Sequence, residues 1–176
     1  MSIYNSKRGG QALVELAFII PFLLLVIANV VNFGGMFYAA ITVSNAARNA
    51  SQNFIYGSAT IRNTSTPTAS EVWTLVEQDT YTLHNRNTVA IRVCLENRND
   101  PTDPACTEQG PAAGTFTFTN PPIDTRPEGN AYLNGWVDVG YTYTPFIPLF
   151  ELPVVGVSLS PPPQTIIRQS LMRVLN

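Results

Sequence analysis

Leu16-Ala17-Phe18-Ile19-Ile20-Pro21-Phe22-Leu23-Leu24-Leu25-Val26-Ile27 is close to continuous hydrocarbon. It lies inside a longer run, from Leu16 to Ala47, that holds no charged residue. About 20 apolar residues in a helix cross the hydrocarbon core of a bilayer, and this run exceeds that length. A single carboxylate, Glu15, stands at its entrance, where an ionised group is costly unless paired. Ahead of it comes a basic leader, Lys7-Arg8-Gly9-Gly10, followed by Gln11-Ala12-Leu13-Val14.

Composition agrees with a chain built around such a segment. Of 176 residues, 12% are charged and 45% hydrophobic, whereas about 25% charged is usual for a soluble domain. The length suits one modest domain besides the helix. A net charge of −2 supplies no basic field for nucleic acid. Lys7, the sole lysine, and Arg8 precede the apolar run, and the next flanking charge is Arg48. The positive-inside tendency keeps the N-terminus cytoplasmic and exports the remainder. Cys94 and Cys106 suit the oxidising compartment which that topology implies, and the expected form is a disulfide closing an Asp/Pro-rich loop.

Three readings of the N-terminus compete. A secretory signal has a shorter apolar core, of about 7–15 residues, and a small-residue cleavage site; Ala39, Ala40, Ala46 and Ala47 would have to provide it. A plain signal anchor accounts for length and orientation but gives no role to Gly10 or Glu15. A prepilin-type (class III) signal uses every feature. Cleavage between Gly10 and Gln11 places Glu15 fifth in the mature chain and leaves the apolar helix attached. The new α-amino group and the nearby carboxylate pair poorly within one chain. Pairing with the amine of a neighbouring subunit neutralises both charges in an apolar bundle and sets axial register, a role in specificity more than stability. If the leader is retained, Lys7 or Arg8 of a neighbour takes the amine's place.

These residues resemble a family. Arg8-Gly9, Ala12, Val14-Glu15-Leu16-Ala17, Pro21, Leu23-Leu24-Leu25, Gly34-Gly35 and Ala46-Ala47-Arg48 are similar to TadE-like proteins, pilin-like subunits or pseudopilins of bacterial tight-adherence (Tad/Flp) pilus systems. A second similarity near the C-terminus comprises Val137, Val139, Tyr141, Pro145, Pro148 and Leu171-Met172-Arg173. The resemblance implies a non-enzymatic structural subunit, inserted in the inner membrane with its C-terminal domain periplasmic and later in an extracellular filament. Its implied partners are identical or related subunits, a prepilin peptidase and the Tad secretion machinery. The rival from another class is a membrane-anchored periplasmic binding or assembly protein that never polymerises.

The expected architecture is α+β: a long apolar helix over residues 11–56 after a leader at 1–10, then an exported domain over 57–176. Together they make a pilin-like lollipop. Pro21 lacks an N–H and crowds the carbonyl of Ala17, which predicts a kink. Gly34 and Gly35, with the spacings Gly35-x3-Ala39 and Ala46-x3-Ala50, suit close lateral helix packing. The helix is expected to end near Phe54–Gly57. Residues 57–69 read as a polar surface loop, in which Asn63-Thr64-Ser65 matches a glycosylation acceptor. Thr68 to Glu71 has capping-box spacing, which predicts a second helix over about 70–83 packed on a sheet. Strands are expected at 88–95, 115–119, 136–144 and 164–175, with loop at 97–111 and brief pairing at 156–160. Pro145, Pro148 and Pro153 exclude a central strand between them, and the apolar stretch 145–163 suits contact with partners.

No catalytic constellation emerges. His84 is the sole histidine, and no nucleophile elbow accompanies it. Asp100, Asp103, Glu108 and Asp124 depart from the EF-hand spacing, and no cofactor or metal is expected. Tyr132, Trp136, Tyr141, Tyr143, Phe146 and Phe150 are read as core and subunit-interface packing in preference to a binding platform.

Overall fold

The computed structural model describes residues 6–56, 67–97, 100, 103–122, 132–148, 151–152, 157–158 and 160–175. Its class is α+β, as expected: a long apolar helix, a four-stranded antiparallel sheet and a second helix. The chain divides into two compact units, Met1–Phe37 with Pro145–Pro162, and Tyr38–Thr144 with Pro163–Asn176. The expected loop over 57–66, with Asn63-Thr64-Ser65, lies outside the described residues, as do Asp124 and Phe150.

Helix α1 (Ser6–Tyr56) runs unbroken through Pro21 and ends where the sequence indicated. In the first unit its side chains are mostly uncovered, and strands β4 (Glu151–Leu152) and β5 (Val157–Ser158) form a two-stranded ribbon. That ribbon answers to the brief pairing expected at 156–160.

In the second unit α1 has a buried stripe at Ala39, Val43, Ala46, Ala47, Ala50 and Phe54, which is the spacing of one helical face. Ser51 Oγ lies 2.7 Å from Ser170 Oγ of strand β6 (Gln164–Leu175), so the stripe faces the sheet. Helix α2 (Ala69–Asp79) starts at a complete capping box between Thr68 and Glu71 and buries Val72 and Val76. It is shorter than the expected 70–83. The Thr80 hydroxyl bonds the Val76 carbonyl at 2.7 Å, a β-branched side chain closing the last turn. A tight turn follows, with Asn85 left-handed at φ 58°.

The sheet order is β2-β1-β3-β6, from β1 (Val89–Leu95), β2 (Ala105–Gln109) and β3 (Tyr132–Tyr143) with β6. Pairing of Val89 with Tyr141, Ile91 with Val139 and Val93 with Val137 puts the apolar residues on one face, and all six are buried. Strand β2 corrects the expectation of loop throughout 97–111. Ala-Cys-Thr-Glu-Gln lacks apolar alternation, but Cys106 sits opposite Cys94. The disulfide between them, Cα to Cα 4.1 Å, joins directly facing residues of β1 and the edge strand β2.

Residues 115–119 correct a second expectation, because they form no strand. In the sheet order β2-β1-β3-β6 they take part in no ladder. Their alternation serves the other face of the sheet instead. The Phe116 ring lies 2.8 Å from where a Cβ on Gly140 would stand. Phe118 has the Arg92 guanidinium 5.1 Å from its ring centre. On this face Arg92, Asp138 and Gln169 form one cross-strand row. Arg92 Nε donates to Asp138 at 2.8 Å, Gln169 Nε2 donates to Asp138 at 2.8 Å, and Arg92 Nη2 donates to the Thr119 carbonyl at 3.1 Å. Burial pushes the Asp138 carboxyl above its ordinary range, with Arg92 and Gln169 opposing.

Removing one partner of such a pair leaves an uncompensated buried charge. Arg92→Met is therefore expected to destabilise the full chain by about 3 kcal/mol, with Arg92→Met/Asp138→Leu recovering much of the loss in thermal melts. The second expectation concerns alkali. Burial, with Tyr143 nearby, raises the Tyr141 phenol from 10.0 to about 12, and its hydroxyl donates to the His84 carbonyl. A raised folded pKa gives stability that is complete below pH 10 and lost as pH climbs toward 12. Denaturant melts between those values should show this slope, and Tyr141→Phe should reduce it.

Candidate functional site: the apolar helix

The face that sequence reasoning marked for assembly begins at Gly10. A Cβ there would meet nothing within 4 Å, and Gly10 and Gln11 are exposed. Glu15, also exposed, accepts a hydrogen bond from Gln11 Nε2 at 3.3 Å, one helical turn away. The side chains of Lys7 and Arg8 lie outside the described residues. Within the chain, then, the carboxylate has a neutral amide beside it.

From there the helix is uncovered and apolar. Leu13, Leu16, Phe18, Ile19, Phe22, Leu23, Leu24 and Val30 are each half or more exposed, and Phe37, Tyr38 and Ile41 continue the series. By length and composition α1 can cross a membrane. The span from Leu13 to Ile41 is about 42 Å at 1.5 Å per residue, which is longer than a hydrocarbon core of about 30 Å.

The residues grouped for lateral packing separate into two sets. Pro21 and Gly34 are exposed and Gly35 is half-buried, and a Cβ on Gly34 would meet nothing within 4 Å. Ala39, Ala46 and Ala50 are 2% exposed or less, so their small side chains are already used inside the chain. Small side chains let α1 lie close to its own sheet for the same reason they would admit another helix.

Sequence reasoning missed Asn32. Its side chain is completely buried in an otherwise apolar stretch. Asn32 Nδ2 donates to the Ile147 carbonyl at 2.9 Å, and the Ile147 N–H donates to Asn32 Oδ1 at 3.0 Å. One amide thus satisfies both backbone groups of a residue far away in sequence. The available signal was asparagine placed amid hydrocarbon, where a polar group must find a partner. Asn29, one turn earlier, instead bonds the Leu25 carbonyl of its own helix at 3.0 Å.

His84 is exposed. Glu108 accepts from the Gly114 N–H at 2.7 Å, a loop contact. Among the described residues no three His, Cys, Asp or Glu side chains are grouped to hold a metal ion. Trp136, Tyr141 and Tyr143 are buried in the core, whereas Phe146 is exposed.

Asn32→Ala would leave the Ile147 N–H and carbonyl without these partners, at a cost of about 1–3 kcal/mol. The Ile147 amide should then exchange with deuterium about 10–100-fold faster, with amides of β3 unchanged.

Comparison with known proteins matches residues 10–52 to the family model of TadE-like proteins. No curated protein and no solved structure matches the chain. The matched residues are those of the exposed rod and of the buried stripe as far as Ala50. Over this N-terminal helix the chain is similar to TadE-like proteins.

Proposed function

We propose that this chain is a structural, non-enzymatic, pilin-like subunit of a Tad-type filament. Its N-terminal helix holds it in the bacterial inner membrane with the sheet-bearing part periplasmic, and then packs against the same helix of other copies. One observation carries the reading: an apolar helical surface uncovered from Leu13 to Ile41, with the Glu15 carboxylate exposed at its start. Such a surface needs lipid or protein around it. Its length beyond a bilayer core favours a second use after insertion.

Glu15 supplies the register. Cleavage between Gly10 and Gln11 by a prepilin peptidase frees an α-amino group, and the carboxylate of one copy pairs with that amine on the next. Pro21, Gly34 and Gly35 are the positions left for close lateral approach, and the Tad secretion machinery exports the assembled subunits. A purely anchored periplasmic protein would use the same helix but would need no matched charge.

Glu15→Gln separates the two. It should leave the amount of membrane-inserted protein unchanged or higher while surface filaments disappear. Filaments at the level of the parent would overturn the subunit reading. Intact mass of the purified protein tests processing: the expected chain begins at Gln11, and one beginning near Ala40 would mean an ordinary secretory signal and no retained helix.

A further inference from the structure

We infer that Phe146 and Ile147 form a second contact with lipid, held by Asn32 at the outer boundary of the bilayer that α1 crosses. The inference rests on the reading of α1 as a membrane-spanning helix. It concerns the subunit before assembly.

Height along the helix is the first argument. From Glu15 to Asn32 the rise is about 26 Å, close to a hydrocarbon core of about 30 Å. With Glu15 at the inner rim, Asn32 stands at the outer one. The second argument is backbone chemistry. Irregular backbone facing lipid does not persist inside hydrocarbon, because its polar groups have no partners there. Residues 144–148 are irregular, so the level at which Asn32 holds Ile147 must lie at the edge of the core and not within it.

The segment is suited to that edge. Pro145-Phe146-Ile147-Pro148 has two residues without an N–H, and the Ile147 N–H and carbonyl are both bonded to Asn32. Phe146 is 46% and Ile147 38% exposed, large apolar side chains beside a helix whose Val30, Val31 and Phe33 are also exposed at the same level. The lipid-facing surface of α1 thus continues onto a loop from the far end of the sequence. Asn32 is buried by that contact, which removes the cost of an amide facing hydrocarbon.

The test uses the full chain in lipid nanodiscs, with benzophenone-alanine replacing Phe146 in one sample and Phe22 in another. Ultraviolet irradiation and mass spectrometry then identify what each ring attacks. Lipid adducts at both positions are expected, and Asn32→Leu should lower the yield at 146 while leaving that at 22 unchanged. An adduct at 22 without one at 146 overturns the second contact and leaves the spanning helix intact. Adducts at 146 to another copy of the protein alone would make this segment a subunit interface and likewise overturn it. Absence of lipid adducts at both positions overturns the spanning reading and the inference together. A yield at 146 unaffected by Asn32→Leu overturns the role given to the clamp.

Discussion

An apolar helix that its own chain leaves bare is the constraint on which this protein depends. Water is a costly surrounding for it, since the rod from Leu13 onward exposes many Phe, Leu, Ile and Val side chains. A bilayer accommodates it, and so does a bundle of equivalent helices. On the proposed reading, a change from one to the other would exchange lipid tails for side chains, so hydrophobic transfer would contribute little to it. Packing and the fate of the polar groups decide it. On the proposed reading Glu15 is the principal such group, because a carboxylate entering an apolar bundle must be matched.

The same helix is used in two ways along its length. Beyond Phe37 it becomes part of a protein core, with Val43, Ala46, Ala47 and Ala50 essentially inaccessible and Ser51 bonded to the closing strand. The sheet it lies on is strengthened on its other face by a different device. Arg92, Asp138 and Gln169 span three strands and take hold of the Phe118 and Thr119 carbonyls, while the cystine fixes the edge strand. A partly buried ion pair of this kind contributes more to specifying register than to stability. Register matters here because a slip by one residue would turn Val89, Ile91 and Val93 away from the helices.

Much of this was legible from the residues. Uninterrupted hydrocarbon gave the helix and its end near Tyr56, alternation gave β1, β3 and β6, and Thr68 with Glu71 gave the start of α2. The misses share a physical cause. Periodicity reports which way side chains point, not whether a neighbouring strand is available. Thr115 to Thr119 alternates like a strand but covers a face, whereas Ala105 to Gln109 pairs without alternating, because a cystine holds it. Small residues at Ala39, Ala46 and Ala50 report close approach, and within the chain they are buried. Asn32 was passed over since a neutral amide leaves no mark in a count of charges, although hydrocarbon on both sides made its need for a partner acute.

The claim that matters most is that Glu15 is matched by a cation from another copy. Zero-length carbodiimide coupling, applied to filaments assembled from mixed nitrogen-14 and nitrogen-15 subunits, reads that pairing directly by mass spectrometry. The account predicts an amide bond between Glu15 and the α-amine of Gln11, or Lys7 where the leader remains, in peptides of mixed isotope composition. Coupling confined to peptides of a single isotope, or Glu15 left unmodified in intact filaments, would contradict it.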